Sequence, residues 1–191
     1  LEVVRSLLAS TEDQPIGSRY LIQHSAGSGK SNSITWLAYQ LVEQMQGLEP
    51  RFNSVIIITD RKNLDEQTRN NVRSFPHSEH IVKWSDSSQD LKELLEAGTK
   101  IIITTVQKFS FILGVMGQNL ANRHFAVIID EAHSSQSGRM SAAVNQTLSG
   151  ASSNTVIEDE DEVNSLIEAH IAGRRMAANA NFYAFTATPK N

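Results

Sequence analysis

His24-Ser25-Ala26-Gly27-Ser28-Gly29-Lys30-Ser31 holds two glycines, three serines and a lysine, and no side chain large enough to pack a core. The stretch follows the apolar run Tyr20-Leu21-Ile22 and precedes Ile34 to Leu41, so a strand breaks into a helix through a loop of almost pure backbone. Glycine lets such a backbone curl until successive N–H groups converge on one point, and that nest, joined to a helix N-terminus, makes an anion cradle. The spacing is that of a Walker A phosphate loop. Gly27, Ser28, Gly29, Lys30, Ser31 and Asn32 form the expected nucleotide-binding set, with Lys30 reaching the β- and γ-phosphates and the Ser31 hydroxyl ligating Mg²⁺. The pattern calls for a small residue six positions before the lysine. His24 stands there instead, and Gly27 supplies the freedom that a leading glycine gives elsewhere.

A second element answers the first. Phe125-Ala126-Val127-Ile128-Ile129 is an apolar run that ends in Asp130-Glu131-Ala132-His133, the pattern of a Walker B strand. Asp130 is expected to hold Mg²⁺, and Glu131 to orient and deprotonate the attacking water. Lys30, Asp130 and Glu131 are the expected catalytic set and Ser31 and Asp130 the expected metal ligands. ATP and Mg²⁺ are the cofactors this chemistry implies.

Both motifs need a scaffold that brings strand ends together. Runs rich in isoleucine and valine recur at 20–23, 55–59, 81–84, 101–105, 125–129 and 182–185, and helical spacing fills 33–46, 63–72, 88–97 and 106–113. Continuous apolar strands alternating with amphipathic helices predict an α/β, doubly wound, mostly parallel sheet with helices on both faces. Ligands of such sheets collect at the carboxyl ends of the strands. From 134 to 181 the rhythm breaks: a Ser/Asn-rich stretch leads into the acidic run Glu158-Asp159-Glu160-Asp161-Glu162, then a helix predicted over 163–171. The acidic run reads as a solvated helix start suited to the helix dipole.

The 191 residues suit one large domain, 40% hydrophobic and 20% charged, and the net charge of -4 announces neither a strongly basic nucleic-acid binder nor an acidic tail. Placement of the basic residues, not their sum, governs contact with DNA. There is no cysteine, which removes disulfides, zinc fingers and thiol chemistry and is compatible with a cytoplasmic setting. No apolar stretch approaches the roughly 20 residues of a membrane span. His77 and His80 have metal-like spacing without acidic or cysteine partners, and Trp36 reads as core packing.

The motifs taken together resemble the first, RecA-like motor domain of superfamily 2 helicases and translocases. They can be narrowed further. Leu21-Ile22-Gln23-His24 with the phosphate loop, Thr59-Asp60-Arg61, Leu64-Asp65-Glu66-Gln67, Thr104-Thr105-Val106-Gln107-Lys108-Phe109, Asp130 to Gly138, and Phe185-Thr186-Ala187-Thr188-Pro189 appear in order. As a set they resemble the motor (R) subunit of type I restriction-modification enzymes. That resemblance implies a RecA-like P-loop NTPase over 1–191, coupling ATP hydrolysis to translocation of double-stranded DNA. It implies that Thr186 and Thr188 couple the ATP site to DNA with His133 as the link. It implies that Asp60, Arg61, Thr104 and Thr105 touch the nucleic-acid backbone. Partners implied are double-stranded DNA and the methyltransferase and specificity subunits. A nuclease domain and a second RecA-like domain belong to the family's full-length protein and are expected outside 1–191, so the chain is expected to be a piece of something longer with half of an ATP site. Two other readings stay open: another superfamily 2 DNA or RNA helicase, and a nucleotide-binding regulatory module that does not hydrolyse.

Overall fold

A computed structural model describes residues 2–24, 29–59, 78–105, 108–109, 120, 122–130 and 179–187. The elements, in chain order, are α1 (Glu2–Asp13), β1 (Arg19–His24), α2 (Lys30–Glu43), β2 (Met45–Gln46), β3 (Glu49–Pro50), β4 (Ser54–Thr59), α3 (Ser78–Ile81), β5 (Val82–Trp84), α4 (Ser88–Glu96), β6 (Ile101–Thr105), β7 (Phe125–Ile129) and β8 (Ala180–Ala187).

Among the described residues, six strands form one sheet in the order β1-β8-β7-β4-β6-β5, with every neighbouring pair parallel. The residue types explain the order. β4 and β7 are buried along their whole length, and unbroken aliphatic runs such as Val55-Ile56-Ile57-Ile58 satisfy a strand packed on both faces. β1 carries the mixed run RYLIQH and closes one edge, burying Ile22 while Leu21 and Gln23 stay exposed.

Two apolar layers cover the sheet. On one face α1 and α2 set Val4, Leu7, Ile34, Leu37 and Leu41 against Val55, Ile57, Ile128 and Phe185. On the other, Leu91 and Leu95 of α4 join Phe109 and Leu120 over Ile56, Ile58, Val127 and Phe182. Ser87 caps α4, its hydroxyl accepting from the Asp90 N–H at 3.0 Å. The predicted α/β, RecA-like fold is the one observed.

Several boundaries differ from expectation. The helix after the phosphate loop begins at Lys30 rather than 33, because Gly29 takes φ 82 and turns the chain directly into it. It ends at Glu43, since Met45–Gln46 pair with Glu49–Pro50 in a hairpin turned at Gly47, φ 67. Ile81 ends the short α3 instead of opening β5. Trp36 is 37% exposed: the buried stripe of α2 is Ile34, Leu37, Ala38 and Leu41, and Trp36 falls off it. The helices predicted over 63–72, most of 106–113 and 163–171, with His77 and the acidic run, lie outside the described residues.

α1 was not anticipated, although Val4, Leu7 and Thr11 form its buried stripe. Its anchorage is polar as well as apolar. Thr11 Oγ1 donates to the Leu7 carbonyl at 2.7 Å and lies 2.9 Å from the Tyr183 hydroxyl. Asn181 Oδ1 accepts from the Gly17 and Ser18 N–H groups at 2.9 and 3.1 Å. Tyr20 stacks on Tyr183 with centroids 5.0 Å apart. Burial pushes the Tyr183 hydroxyl up to about 12, against its hydrogen bonds to Thr11 and Asn181, which pull the other way.

Candidate functional site

A parallel sheet puts all its carboxyl ends on one edge, so the residues that follow β1, β4, β6, β7 and β8 share that edge. β8, the last strand in sequence, is inserted between β1 and β7. Gln23 of β1 lies beside Thr186, and Ile129 of β7 beside Ala184. The strands bearing the two motifs are therefore separated by the strand bearing the third.

Lys30 opens α2, and its ammonium reaches across that gap. Nζ lies 3.1 Å from Asp130 Oδ1, with the two side chains 15% and 3% exposed. Asp130 itself is fixed by its backbone, its N–H donating to the Ile58 carbonyl of β4 at 2.9 Å. A carboxylate this deeply buried is tolerated only beside a compensating charge. The first turn of α2 is otherwise free of charged residues: Ser31 is half-buried and Asn32 exposed. An ammonium at a helix N-terminus suits a phosphate, while the Asp130 carboxylate beside it and the hydroxyl of the next residue, Ser31, are hard oxygen ligands suited to a small divalent cation. The residues present thus fit a magnesium nucleotide.

The stems of the loop are linked directly. His24 Nε2 lies 3.3 Å from Ser33 Oγ, and the Ser33 N–H donates to the Gly29 carbonyl at 3.0 Å. Ser33 was not singled out in the sequence. A serine in the first turn after a phosphate loop looks like one more polar helix residue until its partner is seen.

On the far side of β4, Thr104 is 3% exposed and its hydroxyl accepts from Ser85 Oγ at 2.8 Å, while Thr59 Oγ1 donates to the Thr104 carbonyl at 3.4 Å. Lys108 Nζ donates to the Ser85 carbonyl at 2.6 Å. Thr104 is thus held inside a hydrogen-bonded cluster at the strand ends, and Thr105 beside it is half-buried. Ser85 is the member that the sequence reading missed, though it directly follows a strand on the predicted ligand edge. Thr186 is half-buried near the end of β8. Gly27, Ser28, Asp60, Arg61, Glu131, His133 and Thr188 lie outside the described residues.

Comparison with known proteins extends this edge into a family. The family model described as SWI2/SNF2 ATPase matches residues 2–191. The chain belongs to the SWI2/SNF2 ATPase family. Within that family its similarity runs to restriction enzymes. It is 31% identical over 133 residues to the type I restriction enzyme SsaAORF53P endonuclease subunit of Staphylococcus saprophyticus, covering 68% of this chain and 14% of that one. It is 30% identical over 139 residues to the SauCOLORF180P endonuclease subunit of Staphylococcus aureus, covering 71% and 14%. Against the HindI endonuclease subunit of Haemophilus influenzae it is 30% identical over 146 residues, covering 72% and 13%. The resemblance to type I motor subunits drawn from the motifs holds in these relatives. This SWI2/SNF2 chain spans only about a seventh of their length. Among the described residues, no helix is long and apolar enough to cross a membrane.

Proposed function

We propose that this SWI2/SNF2 chain is the first RecA-like motor domain, over 1–191, of a type I restriction enzyme endonuclease subunit, and that it binds MgATP and couples hydrolysis to movement along double-stranded DNA. The observation that carries the reading is the 3.1 Å pair between Lys30 and Asp130, drawn from two motifs a hundred residues apart to one buried spot on the sheet edge. The names of the similar endonuclease subunits support the restriction context.

In this reading the loop amides Gly27 to Gly29 cradle the phosphates, with Asn32 beside them, and Lys30 neutralises the transferred group as charge develops on it. Ser31 and Asp130 would hold Mg²⁺, which would supply Lewis-acid stabilisation of the phosphate charge. Glu131 orients the attacking water and takes its proton. Asp130 and Lys30 each have to exchange the other for the nucleotide, so binding itself reorganises the site. His133, Thr186 and Thr188 relay that change across β8. Asp60, Arg61, Thr104 and Thr105 form the DNA edge, where contacts to phosphates give affinity without reading sequence. Thr104, being buried, acts there by fixing the strand end. Specificity then rests with methyltransferase and specificity subunits as partners. The lack of cysteine suits the reducing cytoplasm.

The test is ATP turnover of the full-length protein with duplex DNA, single strands or RNA, together with Glu131→Gln. Stimulation by duplex, with Glu131→Gln binding ATP but failing to hydrolyse it, supports the reading. Stimulation by RNA or single strands points to another motor of the superfamily, and unchanged turnover in Glu131→Gln defeats the assigned chemistry.

A further inference from the structure

We infer that His24 is a positioning residue of the nucleotide site, acting with Ser33 as a staple that closes the two stems of the phosphate loop. The inference rests on the reading of that loop as the triphosphate cradle.

The argument begins with strand alternation. In β1, Tyr20, Ile22 and His24 point to the face covered by α1 and α2, and Ile22 packs in the same apolar cluster as Ile34, Leu37 and Leu41 of α2. His24 is the next residue on that face, one step past the core, and stands opposite the first turn of α2. There its Nε2 lies 3.3 Å from Ser33 Oγ. Its ring also tilts against Phe185, with centroids 6.3 Å apart and an interplanar angle of 47°. Phe185 is fully buried, so it offers the imidazole a fixed wall and narrows its rotamers.

Ser33 is bonded at both ends. Its N–H holds the Gly29 carbonyl at the outgoing stem of the loop, and its hydroxyl holds His24 at the incoming stem. The loop from 25 to 28 is thereby enclosed in a ring that the covalent chain alone does not close. Gly29, at φ 82, is a pivot in the outgoing stem, and a bond across the stems limits how far that pivot swings. The position calls for a small residue in the general pattern, and a small residue has no atom that could reach Ser33. The histidine therefore adds a tether that the glycine version of the loop lacks. Holding the stems together before ligand arrives reduces what nucleotide binding must order, and preorganisation of this kind is read as ligand affinity. His24 pairs in register with Ala187 of β8 and its ring tilts against Phe185 of the same strand, so this stem of the loop is also tied to the strand proposed to carry coupling.

The experiment uses the full-length protein with His24→Ala, Ser33→Ala, the double variant, His24→Gln and Lys30→Ala. ATP affinity, KM, kcat and the ATP-induced shift in Tm are measured for each. Loss of one hydrogen bond corresponds to roughly a three- to tenfold change. His24→Ala and Ser33→Ala are each expected to weaken ATP binding and raise KM by about that factor with kcat within about twofold. The double variant is expected to be no worse than the poorer single one, because both remove the same bond. His24→Gln, whose amide sits near the place of Nε2, is expected to recover most of the affinity. Unchanged KM in His24→Ala, additive effects in the double variant, or a fall in kcat alone would each overturn the staple. Lys30→Ala separates this result from the underlying reading: if it binds ATP as wild type does, the triphosphate cradle itself is wrong, whereas a Lys30→Ala that fails to bind beside an unaffected His24→Ala removes only the staple.

Discussion

Replacing Lys30 by methionine keeps the apolar stem and removes the charge, leaving the Asp130 carboxylate, 3% exposed, with no ammonium at 3.1 Å. Breaking a buried pair from one side is costly because the remaining ion can neither reach water nor find a new partner. The range for dry interiors is about 3–5 kcal/mol. Lys30 retains 15% exposure, so the pocket is partly wet from its side and the lower end, about 3 kcal/mol, applies. For a chain of this size that lowers Tm by roughly 6–12 °C. Asp130→Asn is milder, about 1 kcal/mol, because the ammonium left behind can turn toward solvent. The informative quantity is the cycle. Lys30→Met with Asp130→Asn strands no charge, so the double variant should recover to near Asp130→Asn alone, a non-additivity of about 3 kcal/mol. Urea unfolding of the four proteins at neutral pH and low salt measures it. Additivity within about 0.5 kcal/mol would show that the two groups do not sense each other, and the site built on their pairing would be refuted.

Three further outcomes are expected. Tyr183 ionises near 10 when unfolded and near 12 when folded; the unfolded chain therefore loses its proton first as pH rises. The stabilisation is full below pH 10 and disappears between 10 and 12, by up to about 3 kcal/mol. The stability difference between wild type and Tyr183→Phe, followed through that window, isolates it. Gly29→Ala is expected to destabilise by about 1–2 kcal/mol through its φ of 82 alone, since an added Cβ meets nothing within 4 Å; Gly29→Asn, measured alongside by urea unfolding, should be milder. Asn181→Ala strips the acceptor shared by the Gly17 and Ser18 N–H groups, for a loss of about 2 kcal/mol and faster hydrogen exchange at those two amides.

The sheet was legible because parallel strands buried on both faces must be written in consecutive aliphatic residues, and Val55 to Ile58 or Phe125 to Ile129 can hardly be read otherwise. The candidate site was legible for a related reason: Asp130 directly follows an apolar strand and Lys30 closes the glycine- and serine-rich stretch after another, where no core requirement explains them. What sequence alone did not yield depends on local backbone conformation or on contacts distant along the chain. The start of α2 at Lys30 depends on Gly29, whereas Lys30, Ser31 and Asn32 add no apolar periodicity. The role of Thr11 in α1 depends on a tyrosine 172 residues later. Trp36 looked like core because aromatic residues often are, yet its angular position on α2 was fixed by Ile34, Leu37 and Leu41. The Ser85 and Thr104 hydroxyls meet across β5 and β6 only once the register Val82 to Ile101 is set.

The central claim, that Lys30 and Asp130 face one magnesium-bound triphosphate, is tested most directly by titrating ATP into the full-length protein with Mg²⁺ and with EDTA, for wild type and Asp130→Asn. Wild type should bind ATP more tightly with Mg²⁺, and Asp130→Asn should lose most of that difference while still binding metal-free ATP through Lys30. An Asp130→Asn protein whose affinity gains from Mg²⁺ as much as wild type does would place the metal elsewhere and contradict the account.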